Sequence, residues 1–110
     1  MSERKGIRKK FRTEVIFIAN GNFHFGYSKD LSPDDIFIET TEIYPVGTEL
    51  LIDFYLPGAP HKFKLKGRVM RIVEKPTNSE KRGMGIEFVN TSEFQKKLIR
   101  NFVERDSYQI

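Results

Sequence analysis

Apolar and polar positions alternate with a period of two through most of this chain, and the period becomes helical only near its end. Thr13 to Asn20 is rich in β-branched residues (Val15, Ile16, Ile18), as a strand prefers. Asn20-Gly21-Asn22 follows as a hairpin turn. Phe23, Phe25 and Tyr27 then alternate with His24 and Gly26, which predicts a second strand with one aromatic face. Asp30-Leu31-Ser32-Pro33-Asp34-Asp35 is a run of turn formers that gives way to a third strand at Ile36 to Thr41. After a loop holding Pro45 and Gly47, Thr48 to Leu56 makes a fourth strand with Leu50, Ile52, Phe54 and Leu56 on one face. Pro57-Gly58-Ala59-Pro60 turns the chain. His61 to Glu74 is a long fifth strand, in which Phe63, Leu65, Gly67, Val69, Arg71 and Val73 share a side. A strand of that length bends or bulges, and Gly67 is the expected place. Lys75 to Arg82 is a charged loop, and Gly83 to Val89 a sixth strand with Met84, Ile86 and Phe88 inward.

The helical segment opens with Ser92-Glu93-Phe94-Gln95, a capping-box pattern. Phe94, Leu98, Ile99, Phe102 and Val103 form an apolar stripe that would pack on the sheet, and Lys96, Lys97, Arg100 and Glu104 face water. Six strands joined by turns and one terminal helix predict a mainly all-β fold. The expected form is a six-stranded antiparallel barrel with a C-terminal α-helix near 92–105. Closure is expected because open aromatic strands would expose their edges.

Charge divides the 110 residues into two parts. Residues 1–12 hold six basic residues and one acid, a net of +5, whereas the other 98 hold 13 basic and 14 acidic, a net of −1. The expected organisation is therefore a flexible basic arm over 1–12 and a single domain over 13–106. Such an arm seeks anions, whether nucleotide phosphates, nucleic acid or a membrane surface. No apolar run reaches the roughly 20 residues of a membrane span, so no membrane insertion is expected. With no Cys and no signal peptide, a cytoplasmic location is expected.

Catalytic chemistry finds little support, and no catalytic residue is assigned. His24 sits in a strand and His61 beside a turn, no Ser/His/Asp grouping has supporting context, and the carboxylates are scattered. Gly83-Met84-Gly85 lacks the helix and Lys-Ser/Thr of a phosphate loop and reads as glycines that let strands approach closely. No ligand cluster suggests a metal. Arg8 and Arg12 are four apart, and guanidiniums at that spacing can serve one anion, since Arg forks match phosphate oxygens; a solvated basic tail is the plainer reading. Asp30 and Ser32, two apart, would point to one side of an extended chain and offer an acceptor and a hydroxyl, or else merely close a turn.

Taken in order, Arg8-Lys9-Lys10-Phe11-Arg12, a hairpin and Asp30-Leu31-Ser32 resemble the PilZ domain family, whose pattern is RxxxR followed by (D/N)xSxxG on a six-stranded barrel. Pro45-Val46-Gly47-Thr48, Leu56-Pro57-Gly58, Gly67-Arg68-Val69 and Gly83-Met84-Gly85-Ile86-Glu87-Phe88 look like the family's strand and turn phrases, so the resemblance covers nearly the whole chain. It implies a non-catalytic receptor for cyclic di-GMP, a bacterial second messenger, with no other cofactor and no nucleic-acid target. By position, Arg8 and Arg12 would take phosphates and a guanine edge, Asp30 would accept from guanine N1–H and the 2-amino group, Ser32 would add a hydroxyl, and Arg71 would stack. The output would go to a protein partner in trans.

The departure from the pattern is Asp35, where the family has glycine. Asp brings a negative charge to the docking place of a dianion, at a cost of about 1 kcal/mol before screening. Whether the position also needs glycine's backbone freedom separates two readings. One is a working receptor; the other is a degenerate domain that acts as a protein-interaction module without ligand. A nucleic-acid binder using the arm and a small barrel is a third reading, weakened by the neutral body.

Overall fold

The computed structural model describes residues 7–106 of the chain. Seven strands and one helix follow in order: β1 (Lys9–Lys10), β2 (Glu14–Ala19), β3 (Asn22–Leu31), β4 (Asp35–Glu39), β5 (Glu49–Phe54), β6 (Phe63–Val73), β7 (Gly83–Val89) and α1 (Glu93–Asp106). All pairings are antiparallel, in the order β1-β3-β2-β5-β6-β7-β4, and β4 also pairs with β3. That last pairing closes β2 to β7 into a six-stranded barrel, and β1 is an extra strand on β3.

Alternation fills the barrel as the sequence predicts. Val15, Phe17, Ile36, Ile38, Leu50, Ile52, Phe54, Leu65, Val69, Met84 and Ile86 are buried inside it. The β2–β3 hairpin turns on Asn20 and Gly21, both at positive φ, as a two-residue turn between twisted strands requires. Helix α1 is capped by Ser92, whose Oγ accepts the Gln95 N–H at 3.1 Å. It buries Ile99, Phe102 and Val103, but Phe94, expected in that stripe, is 71% exposed.

Three further expectations change. The basic arm is not loose over its whole length: Lys9 and Lys10 pair with Leu31 and Asp30, and the Phe11 ring packs edge-on against Phe102 at 4.8 Å. The rest of the expected arm, residues 1–6, lies outside the described residues. β3, the second strand expected from the sequence, runs on to Leu31, so Asp30 belongs to a strand, and the turn is only Ser32-Pro33-Asp34. The irregularity in β6, the fifth strand expected from the sequence, lies between Val69 and Arg71. Gly67 instead pairs regularly with Leu50 and Phe88. It is glycine because a Cβ there would collide with Ile86 in the core.

Ser28 ties the arm to the barrel. It is fully buried, its Oγ accepts the Thr13 N–H at 2.9 Å and donates to the Phe11 carbonyl. Ser28→Ala leaves both groups without that partner. We expect a loss of about 1 kcal/mol in unfolding free energy, read as a lower urea midpoint at unchanged slope. An unaltered midpoint would show that water replaces the hydroxyl.

Candidate functional site

Two bulges make the site. In β3, Ser28 faces Ile38 while Asp30 faces Phe37, so Lys29 is an extra residue. In β6, Val69 faces Ile86 while Arg71 faces Gly85, so Met70 is extra. A bulge reverses which residues point inward along its strand. Strict alternation from buried Ser28 and Val69 would send Asp30 and Arg71 into the core. The bulges turn them out, and Leu31 takes the inward place in β3. Asp30, Phe37, Gly85 and Arg71 thereby fall in one row across β3, β4, β7 and β6.

That row floors a cleft of about 290 Å³, whose walls include Arg8, Asp35, Met70 and Glu87. Arg71 lies over the Phe37 ring at 5.0 Å. Gly85 leaves space for it, since a Cβ there would stand 3.1 Å from Arg71 Cγ. The glycines of Gly83-Met84-Gly85 thus have separate uses. Gly83 lets β7 approach the Ile38 carbonyl closely, as expected, and Gly85 makes room in the cleft. Phe37 and Glu80 were not singled out by the sequence. Phe37 looked like one more core residue of an apolar strand, and Glu80 is brought to Arg71 by the loop after β6.

Arg71 donates to Glu80 Oε2 at 2.7 Å. The loop is shaped for this, with Thr77 Oγ1 accepting the Ser79 and Glu80 N–H groups. The Arg71 hydrogen bond holds the Glu80 carboxyl below its usual range. A carboxylate whose folded pKa is depressed adds stability above its unfolded pKa and loses it as pH falls through the folded one. Glu80 should therefore stay ionised on acidification after ordinary glutamates have protonated. Carboxyl-detected NMR titration checks this, and Arg71→Ala should return Glu80 to the ordinary range.

Arg8 is the central cation. One terminal nitrogen donates to Asp30 Oδ1 at 2.5 Å and the other to Asp35 Oδ1. Partial burial acts to lower the Arg8 pKa, but the hydrogen bonds to Asp30 and Asp35 outweigh it and the guanidinium is raised. The Asp35 carboxylate thus occupies one arm of the Arg8 fork. Asp35 is absent from the positive-φ residues outside glycine, which are Asn20 and Asn90 among the described residues. The position therefore does not use glycine's backbone freedom in this conformation.

Arg12 and Ser32 lie outside the cleft lining. Between Arg8 and Arg12 the chain is extended, and four residues in a strand span about 13 Å, unlike a helical turn. Arg12 instead pairs with Glu39 at 3.0 Å and stacks 4.3 Å over the Tyr27 ring. Ser32 closes the turn. Its Oγ accepts the Asp34 and Asp35 N–H groups, each at 3.1 Å, and donates to Asp35 Oδ1 at 2.9 Å. Arg8, Asp30, Asp35 and Arg71 are thus brought together, and the other two are placed beside them. No group of three or more potential metal ligands occurs among the described residues, and no helix among them is long and apolar enough to cross a membrane.

A family model described as the PilZ domain matches residues 2–105. Among solved structures, the Bacillus subtilis inhibitor of motility (MotI/DgrA) is similar at a TM-score of 0.82 and 19% identity. The match covers 97% of this chain and 52% of that one, so this chain spans about half the length of that relative. The PilZ domain of Escherichia coli YcgR, solved with c-di-GMP, has a TM-score of 0.70 at 16% identity, covering 96% of this chain and 95% of that one. The PilZ domain of CeSA from a cellulose-synthesizing bacterium has a TM-score of 0.64 at 16% identity, covering 92% and 98%. No curated protein matches.

Proposed function

The chain belongs to the PilZ domain family, and from that premise we propose that it is a non-catalytic receptor for cyclic di-GMP that passes its state to a protein partner. The observation that carries this reading is the cleft itself: Arg8, Asp30 and Arg71 converge around the Phe37 floor. The types suit the ligand. A carboxylate accepts from the N1–H and 2-amino group of guanine, an Arg fork takes phosphate oxygens, and a guanidinium plane stacks on a base. Asp30 would read the guanine edge, Arg8 would exchange Asp35 for phosphate, and Arg71 would stack. Arg12 would join by leaving Glu39. A PilZ domain of the same fold was solved with this dinucleotide, which supports the choice of ligand.

A second reading is favoured by one observation. Asp35 already holds Arg8, and the cleft is lined by four carboxylates (Asp30, Asp34, Asp35, Glu87) against two guanidiniums. In that reading the domain binds no dinucleotide and works by protein contact alone. Isothermal titration calorimetry of the full chain with cyclic di-GMP at low salt decides between them. A saturable heat that Asp30→Ala removes supports the receptor. Absence of heat at tens of micromolar ligand, from protein shown to be folded by circular dichroism, leaves the second reading.

A further inference from the structure

The aromatic face of β3 points away from the barrel. Phe23 is 75% exposed and Phe25 62%. Opposite them on β2 stand Ile18 and Ile16, and beyond Ile18 on β5 stands Leu51, which is half-exposed. Directly opposed side chains share a face, so these residues form one continuous apolar surface across three strands. Single exposed apolar residues are ordinary, but a contiguous set with a polar border marks an interaction surface.

The border of this surface names the chemistry of its occupant. β4 meets β3 only from Tyr27 onward, so the first half of β3 runs beside an open groove of about 470 Å³ instead of a strand. The groove is lined by Phe23, Phe25 and Tyr27 on one side and by Glu39 and Glu42 on the other; among the described residues it has no lysine or arginine in its lining, and His24 there is hydrogen-bonded to the Tyr44 hydroxyl. The corner made by Tyr27 and Glu39 holds the chain's own Arg12, stacked on the ring and paired with the carboxylate. Arg12 is an internal sample of what the corner accepts: a guanidinium beside apolar contact.

We infer that this outer face of β2 and β3 docks a protein segment carrying arginine among apolar side chains, with the partner's arginine replacing Arg12 at Tyr27 and Glu39. The surface stands on exposure and charge alone. Its coupling to ligand rests on the receptor reading above, in which the dinucleotide draws Arg12 away and vacates the corner. Ligand and partner then favour each other, and the coupling is reciprocal.

The test uses the ¹⁵N-labelled full chain and a short acetylated, amidated peptide of leucine and arginine alone, with its leucine–glutamate counterpart as control. The arginine peptide should shift the amides of residues 23–27 and 39–42, and the glutamate peptide should not. Phe25→Ser, exposed and outside the cleft, should weaken the peptide about tenfold with dinucleotide binding unchanged. Arg12→Ala should tighten it about threefold by emptying the corner, whether or not the dinucleotide binds. Equal binding of both peptides, shifts confined to the cleft or to α1, or no shift at all would overturn the inference. So would a concentration-dependent dimer that Phe25→Ser abolishes, because a second copy would then be the occupant. Failure of the receptor reading shows separately, as absent calorimetric heat with the peptide shifts intact.

Discussion

Arg8→Ala should weaken cyclic di-GMP binding by about a hundredfold, equivalent to about 2.7 kcal/mol. Among the described residues, Arg8 alone has a guanidinium that lines the cleft and bridges two of its carboxylates. The other lining guanidinium, on Arg71, is committed to Glu80. In the receptor reading, removing Arg8 would delete the bidentate donor for a phosphate and leave Asp30 and Asp35 unneutralised where the dianion would dock. Fold stability should barely change, because the Arg8 side chain is 41% exposed and pairs of that kind contribute little. Calorimetry reads the affinity and thermal unfolding the control. Arg12→Ala is the comparison and should lose less, about tenfold, because Arg12 must first leave Glu39 and Tyr27. If Arg8→Ala binds as the natural sequence does, the dinucleotide sits elsewhere.

Asp35→Gly should tighten the same binding by about tenfold. Two effects act together. The substitution frees the Arg8 fork from an internal competitor, and it removes a negative charge from the wall of the cleft. Against them stands the loss of the Ser32 hydrogen bond to Asp35 Oδ1, which weakens the turn slightly. Asp35→Asn separates charge from space, since it keeps a Cβ and an acceptor for Ser32. An equal gain in both variants assigns the effect to charge. A gain in glycine alone assigns it to close backbone approach by the ligand. A charge effect should also shrink as salt is raised. A gain from no measurable binding would identify Asp35 as the residue that silences an otherwise complete site. Unchanged weakness in both variants would remove Asp35 from the account.

Most of the architecture was legible in the chain because it depends on local period. The inward sets of the fourth and sixth strands, the Asn20-Gly21 hairpin and the Ser92 cap all follow from neighbouring residues, and all are observed. The order of Arg8, Arg12, Asp30 and Ser32 was also readable. Their separation into cleft and surroundings was not. Arg12 found a partner, Glu39, that only the paired strands bring near, and Ser32 turned back on Asp35 within its own turn. The outward aromatic face of β3 escaped as well, since Phe, Phe and Tyr at alternate positions look the same facing in or out. Buried Gly26 and Ser28 on the opposite face decide it.

The sequence by itself determined a closed six-stranded barrel with a capped helix, and it supplied the residue types that the proposed guanine and phosphate contacts require. Tertiary structure decided where those residues point. Strand parity is set by pairing register, and register is a relation between distant segments. The bulges at Lys29 and Met70 appear only when β3 meets β4 and β6 meets β7. Without them Asp30 and Arg71 would face the core, and Arg8 would lack the Asp30 half of the bridge it makes with Asp35.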